Sequence, residues 1–523
     1  MLTGKNFIGN KLSSSGNVTF QTFNPELNKK NDQIFYEANN DEINQSLDLA
    51  KNAFEDYKKT TPNERSKFLN SIADEILSVS DKLLEVYCSE TGLPAGRSRG
   101  ELKRTIGQLR SFADLVLDGS WVEASIDTAT PEREPIPKPD LRKMMMPLGP
   151  VVVFGASNFP LAYSTAGGDT ASVLAAGCPV IVKSHPMHAG TGEIVASAII
   201  SAAKKNNMPD GVFSNLNSKD ISVGVQLVNH PNVKAVGFTG SLKGGRSIYD
   251  LASKRDTPIP VFAEMGSTNP IIIMPAKIKN DYEDLAVKFA KSITVGSGQF
   301  CTNPGMIISI KGDEMNRFIE CLSLELKKIE PSCMLHPNIL DAYNSNANQT
   351  ISNKDVEIFY QSDLMNKENY PKHILATVNS NTFIQNRNLH HEVFGPFSLI
   401  IKCNDMNDLR NVISSIQGQL TGTIIGEKDE IYQNKDLIDL LGSRVGRIIF
   451  DGVPTGVEVC PSMLHGGPYP ATTDSRFTAV GTNSIQRWVR PFSFQDFPDE
   501  LLPDELKNSN PLNIKRTING VIT

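Results

Sequence analysis

From Val151 onward the chain alternates short, wholly apolar runs with helical stretches, and this pattern restricts the fold more than any other feature. Val151-Val-Val-Phe154 closes on Gly155, and Asp169 to Ala176 is helical. Pro179-Val-Ile-Val-Lys183, a helix over Thr191 to Lys205, Gly211 to Leu216 and Val233 to Phe238 follow. Runs that do not alternate with polar residues belong to strands covered on both faces, so the pattern predicts a parallel, doubly wound sheet. Such sheets bind ligands beyond the carboxyl ends of their strands. Three of those ends carry suggestive residues: Asn158, Lys183 and Thr239-Gly240-Ser241. A second alternation predicts a second α/β domain. It comprises Asn269 to Met274, a helix before Cys301, Met306 to Ile310, Phe397 to Lys402, Thr421 to Ile425 and Arg447 to Phe450.

The remaining chain reads as supporting structure. Residues 1–35 form short β-type runs, and 40–118 are helical. Asn40 is placed to cap a helix through Phe54, Thr61-Pro62 opens the next, and Ser80 starts a third that ends near Gly92. The proline-rich stretch from Pro131 to Pro147 predicts an edge or crossing segment. In the tail, Trp488, Val489, Phe492 and Phe494 are costly to expose and pack either on a partner subunit or on their own domain. The expected division is 1–118 with 144–264 as a Rossmann-like cofactor domain, 265–460 as a catalytic domain, and 119–143 with 461–523 as bridging or oligomerisation segments. No internal repeat is visible.

Composition removes several classes. The net charge is −6 with no dense Lys/Arg tract, so a nucleic-acid partner is not indicated. No apolar run approaches the ~20 residues of a membrane span, and the first residues lack the apolar core of a signal peptide. Seven scattered cysteines without a CxxC pair fit a reducing compartment, so a cytoplasmic location is expected. Eight histidines form no ligand cluster, and no metal site is expected.

The chemistry centres on Gly296-Ser-Gly-Gln-Phe-Cys301-Thr-Asn-Pro-Gly305. The preceding helix buries Leu285, Phe289 and Ile293 on one face, and the glycines permit tight turning. A cysteine held on such a loop is either a reachable nucleophile or a small buried hydrophobe. Phe238-Thr-Gly-Ser-Leu-Lys-Gly-Gly245 follows a strand and opens a helix. It is either an ordinary cap or a phosphate site on free N–H groups, with Gly240 and Gly245 allowing close approach. Lys183 is a solvated strand end or a ribose or phosphate donor. Glu264, ending the run Pro260-Val-Phe-Ala, is a general base or an ion-paired carboxylate. Glu392-Val-Phe-Gly-Pro396 says little alone.

Taken together, Gly155-Ala-Ser-Asn-Phe-Pro160, Phe238-Thr-Gly-Ser241, Glu264-Met-Gly266, Gly298-Gln-Phe-Cys301 and Glu392-Val-Phe-Gly-Pro396 resemble the aldehyde dehydrogenase superfamily over nearly the whole chain. Gly167-Gly-Asp-Thr-Ala, Lys183-Ser-His-Pro and Thr455-Gly-Val-Glu-Val-Cys460 are similar to its branch acting on 2-oxoglutarate semialdehyde. NADP-preferring long-chain fatty aldehyde dehydrogenases share several of these pieces. The resemblance implies an aldehyde-dehydrogenase-like α/β fold with a small β oligomerisation arm, a homodimer or homotetramer, and a small aldehyde substrate. It implies Cys301 as nucleophile, Glu264 as the group that activates water, and Asn158 with the Cys301 N–H as oxyanion donors. Glu392 would take the nicotinamide ribose, Phe394 the ring, Lys183 the adenosine ribose, and Gly240 and Ser241 the pyrophosphate. NAD-specific relatives carry a glutamate where this chain has Pro186, so NADP is expected to be accepted beside NAD, with Ser184 and His185 near the extra phosphate. The stretch 453–470 is expected to wall the substrate tunnel, with Cys460 as packing. Two rivals share parts of the pattern. A CoA-acylating enzyme has no need of Glu264, and a cysteine hydrolase, with His465 as base, leaves the cofactor-type motifs unexplained.

Overall fold

The computed structural model describes residues 2–363, 367–454 and 456–523, so Thr455 of the 455–460 motif lies outside the described residues. Its first sheet has seven strands in the order Val261–Glu264, Ala235–Thr239, Val151–Phe154, Val180–Lys183, Phe213–Leu216, Asn6–Ile8 and Lys11–Ser13. The first five are parallel, in register Thr239 to Glu264, Phe238 to Phe154 and Phe154 to Lys183. The two N-terminal strands extend the sheet antiparallel. Strand order reverses between Val151–Phe154 and Ala235–Thr239, and the crevice at such a reversal is where a doubly wound sheet takes its ligand.

Helices Asn40–Tyr57, Pro62–Ser78, Ser80–Thr91 and Ala95–Asp118 fill the expected helical region. Asn39, not Asn40, caps the first, because Glu42 stands three residues after Asn39 and completes a reciprocal capping box. Thr61 and Glu64 form the same box at the second. Val79 occupies the cap position of the third, without a side-chain bond, while Gly92 ends it at φ +65°.

The second sheet runs Glu357–Gln361, Ile374–Asn379, Phe397–Cys403, Met306–Ile310, Ile271–Ile273, Gln419–Ile425 and Val445–Phe450. Its first two strands have no counterpart in the sequence reading. Glu357–Gln361 is a mostly exposed antiparallel edge, and small and hydroxyl residues dilute the apolar signal of Ile374–Asn379.

A third sheet of five strands joins Val489–Gln495, Leu141–Pro147, Ser125–Asp127, Thr517–Ile518 and Val521–Ile522. Leu141–Pro147 is therefore interior and paired on both sides, which corrects the edge expectation. Its prolines cluster at 131–139 and at its last position, so Leu141 to Met146 keep their N–H groups for the ladder. Trp488 is fully buried on its own chain, where Nε1 donates to Ser172 Oγ at 2.8 Å. Among the described residues no helix is long and apolar enough to cross a membrane.

Candidate active site

The helix Pro275–Thr294 buries Leu285, Phe289 and Ile293 and delivers the chain to a tight turn. Gly296, Ser297 and Gly298 all take positive φ, between +56° and +66°. A Cβ at Gly298 would lie 2.3 Å from the Gly395 carbonyl, so only glycine lets this loop press on the Gly395-Pro396 turn. Ser297 takes the same conformation without being glycine. It is held there by burial and by its hydroxyl, which donates to the Ser332 carbonyl at 2.6 Å. Asn269 Nδ2 donates to the carbonyls of Cys301 and Asn303 at 2.8 and 2.9 Å, and Asn303 Nδ2 donates to Gly395 O at 3.0 Å. Side-chain amides thus fix the loop that presents Cys301.

His465 Nε2 stands 3.5 Å from Cys301 Sγ and 3.3 Å from Glu264 Oε1. Sulfur, imidazole and carboxylate offer donor atoms within 4.8 Å of one another, the kinds of donor that also bind divalent metals. Glu264 and His465 are 3 % and 1 % exposed. The 3.3 Å approach falls outside hydrogen-bond geometry, so neither Glu264 oxygen has a hydrogen-bond partner among the described residues. Burying a carboxylate without a partner is costly, by about 1–3 kcal/mol or more. The Cys301 thiol is pushed well up, first by burial, then by Glu264 and Glu392, with Arg104 opposing. Burial, with a further contribution from Glu264, raises the Glu392 carboxyl to about 8, against a Ser267 backbone bond that lowers it. Gly266 makes room for that carboxyl, since a Cβ there would sit 2.2 Å from Glu392 Oε2. Asn158 Nδ2 donates to Gln299 O at 3.1 Å, beside the cysteine turn.

One cavity of about 320 Å³ gathers Cys301, Glu264, Asn158, Glu392, Phe394 and the Gly240-Ser241 pair. Ser241 caps the helix Leu242–Ser253 by accepting from Gly244 N, so that helix opens towards the cavity. The structure puts other expected residues elsewhere. A Cβ at Gly245 would meet Met265 Sδ at 2.6 Å, so this glycine serves helix-on-strand packing. Ser184 is buried against Gly192, and His185 stacks on His188 at 5.1 Å between centroids. Lys183 ends its strand near Glu37 and Asp220, and burial lowers its amine to about 8. Pro186 lines a second cavity of about 530 Å³ with Met187, Lys30, Lys219 and His336.

Four nearby residues escaped the sequence reading. Arg97 lies over the rings of Phe159 and Phe300, at 4.2 and 4.7 Å. Arg104 Nη2 donates to the Tyr163 hydroxyl at 3.0 Å, and the Tyr163 ring lies 6.1 Å from that of His465. Arg447 Nη1 meets Met463 Sδ at 3.2 Å. Arg447 did carry a signal, being an arginine inside an apolar strand. Arg97 and Arg104 look like the other basic residues of an amphipathic helix.

Residues 12–438 match the aldehyde dehydrogenase family, and the chain belongs to that family: an oxidoreductase acting on the aldehyde group. Over its full length it is similar to two curated relatives. Alpha-ketoglutaric semialdehyde dehydrogenase 2 of Azospirillum brasilense is 44% identical over 520 residues, and the alpha-ketoglutaric semialdehyde dehydrogenase of Acinetobacter baylyi is 43% identical over 522; each match covers 99% of both chains. Among solved structures, betaine aldehyde dehydrogenase from Staphylococcus aureus in complex with NAD+ has a TM-score of 0.81 at 19% identity, covering 95% of this chain and 96% of that one. A 1-pyrroline-5-carboxylate dehydrogenase mutant from Thermus thermophilus has a TM-score of 0.79 at 20% identity, covering 94% and 92%. Both share the fold.

Proposed function

We propose that the protein oxidises 2-oxoglutarate semialdehyde to 2-oxoglutarate, accepting NADP as well as NAD. The observation that carries this reading is the convergence of Cys301, Glu264 and Asn158 with Glu392, Phe394 and the Ser241 helix terminus in one cavity. The full-length identity to the two semialdehyde dehydrogenases supports the substrate.

Cys301 Sγ attacks the aldehyde carbon. Its raised thiol needs a proton acceptor, and His465 Nε2 stands 3.5 Å away. The Asn158 amide and the Cys301 N–H hold the oxygen of the resulting thiohemiacetal. One such donor is worth roughly 3 kcal/mol in acyl transfer. The nicotinamide, when bound, supplies the hydride acceptor. Glu264, with both oxygens uncommitted, orients and deprotonates the water that hydrolyses the Cys301 thioester.

The residues fit such a cofactor. The N–H groups opening Leu242–Ser253 suit a pyrophosphate, the half-buried Glu392 carboxyl suits ribose hydroxyls, Phe394 would flank the ring, and Lys183 would take the adenosine ribose. Lys30 and Lys219 beside Pro186 support acceptance of a 2′-phosphate. We read the first sheet with 1–118 and 144–264 as the cofactor domain and 265–460 as the catalytic domain, while 461–523 contributes His465 as well as the arm. The unpaired edge of Val489–Gln495, with Phe492 37% exposed, supports a homodimer or homotetramer. Seven free cysteines support a cytoplasmic location.

The test is initial-rate formation of reduced cofactor from 2-oxoglutarate semialdehyde, succinate semialdehyde, glutaraldehyde and a long-chain aldehyde, each with NAD and with NADP. Highest kcat/KM on the oxo-semialdehyde is expected. A preference for the long-chain aldehyde overturns the substrate, and no turnover of any aldehyde overturns the mechanism.

A further inference from the structure

Resting on the semialdehyde reading, we infer that Arg104 and Arg447 anchor the substrate's far end, the 2-oxo-carboxylate, while its aldehyde carbon reaches Cys301.

Both arginines are half-buried, and neither has an ion-pair partner among the described residues. Every other buried or half-buried arginine pairs with a carboxylate or donates to a backbone carbonyl, as Arg65 does to Ala175, Arg255 to His230, Arg444 to Ser414 and Arg516 to Lys507. Arg97 pairs with Glu101 at 3.6 Å, Arg142 with Asp499 at 3.0 Å and Arg487 with Asp169 at 2.7 Å. Arg104 has one hydrogen bond, to the Tyr163 hydroxyl, and Arg447 meets only the thioether of Met463, a weak acceptor. The Nε of each is buried without a partner. A half-buried guanidinium with its Nε left this way is unfavourable unless an anion arrives to fill it.

Their positions suit that anion. Tyr163, which Arg104 contacts, lies beside His465, and Met463, which Arg447 contacts, precedes His465 by two residues. Both cations interact with the Cys301 sulfur. Neither lines the 320 Å³ cavity that holds Glu264 and Glu392. Phe159 and Phe300, 5.6 Å apart, give an apolar wall next to the nucleophile for the two methylenes of the substrate. A guanidinium takes a carboxylate in two parallel hydrogen bonds, whereas an ionised Glu264 repels it. The substrate therefore enters with one orientation, its anionic end away from that carboxylate.

The experiment measures kcat/KM for 2-oxoglutarate semialdehyde and for pentanal, an uncharged aldehyde of equal length, in the wild type and in Arg104→Gln, Arg447→Gln, Arg104→Lys and Arg447→Lys. Each glutamine variant is expected to lower the semialdehyde-to-pentanal ratio about 30-fold or more, mainly through KM. Each lysine variant is expected to lose less than its glutamine counterpart. The ratio discounts any general loss of activity, and if one position does not tolerate glutamine the other position and the lysine variants still decide. Equal loss on both aldehydes, or no loss on the semialdehyde, overturns the anchor while leaving the substrate reading intact. A wild type that prefers pentanal overturns both.

Discussion

Cys301 divides two neighbourhoods of opposite charge. On the cavity side stand two carboxyls, Glu264 and Glu392, with no cation among the side chains that line that space. Away from the cavity stand Arg104 and Arg447, with Tyr163 and two phenylalanines. The carboxyls raise the thiol and Arg104 lowers it. The difference separates the two tasks of the site. In the proposed mechanism the acidic side handles water and hydroxyls at the cost of a less acidic nucleophile, and the basic side receives an anion and offsets that cost.

The largest disturbance of this arrangement is removal of its centre. Cys301→Ala should lower kcat by about 10⁴-fold or more with an unchanged circular dichroism spectrum, and retained turnover would refute every cysteine mechanism. Glu264→Gln should come next, lowering steady-state turnover by roughly 10²–10⁴-fold. A burst of reduced cofactor equal to the number of sites should remain, because acylation survives while thioester hydrolysis does not. Loss of the burst in rapid mixing would move Glu264 to the first half-reaction. The same variant also tests the charge asymmetry without turnover. Removing one carboxylate should bring the Cys301 thiol down, so iodoacetamide alkylation of the cofactor-free enzyme should reach half its plateau rate at a lower pH than in wild type.

The smallest effect concerns Glu392. Its folded value of about 8 lies above the ordinary 4.5. Between those values the folded chain binds a proton that the unfolded chain releases, so this residue reduces stability progressively as pH rises through the window. Glu392→Gln should therefore raise Tm relative to wild type by about 1–3 °C more at pH 8.5 than at pH 5. Equal shifts at the two pH values would place its carboxyl in water.

The two neighbourhoods were not equally legible in the sequence. The cavity side rests on local signals: a glycine turn around Cys301, a carboxylate ending the apolar run at Glu264, and a cap signal at Ser241. Each is readable because strand ends and helix starts have a sequence grammar. The basic side is built from residues far apart in the chain, Arg104 on a helix, Tyr163 on a loop and Arg447 on a strand, which meet only through tertiary packing. Gly245 and Ser184 went the other way. They sit in motifs that suggest ligand contact, and the structure packs them against Met265 and Gly192. Pro131 to Pro147 misled for a different reason, since its prolines lie mostly outside the strand that pairs.

The return of the C-terminal segment over the first sheet has a consequence for biosynthesis. His465 reaches Cys301 on a segment whose Ala471 carbonyl accepts from Met265 N at 2.8 Å, and Val489–Gln495 then completes the arm by pairing with Leu141–Pro147. Arg142 fastens this closure, bonding Asp140, Asp499 and the Leu506 carbonyl together. A nascent chain emerging from the ribosome thus displays its reactive cysteine some 160 residues before the imidazole that serves it. These contacts join distant parts of the sequence and form late, so the thiol and the imidazole meet only after residue 465 has left the ribosome.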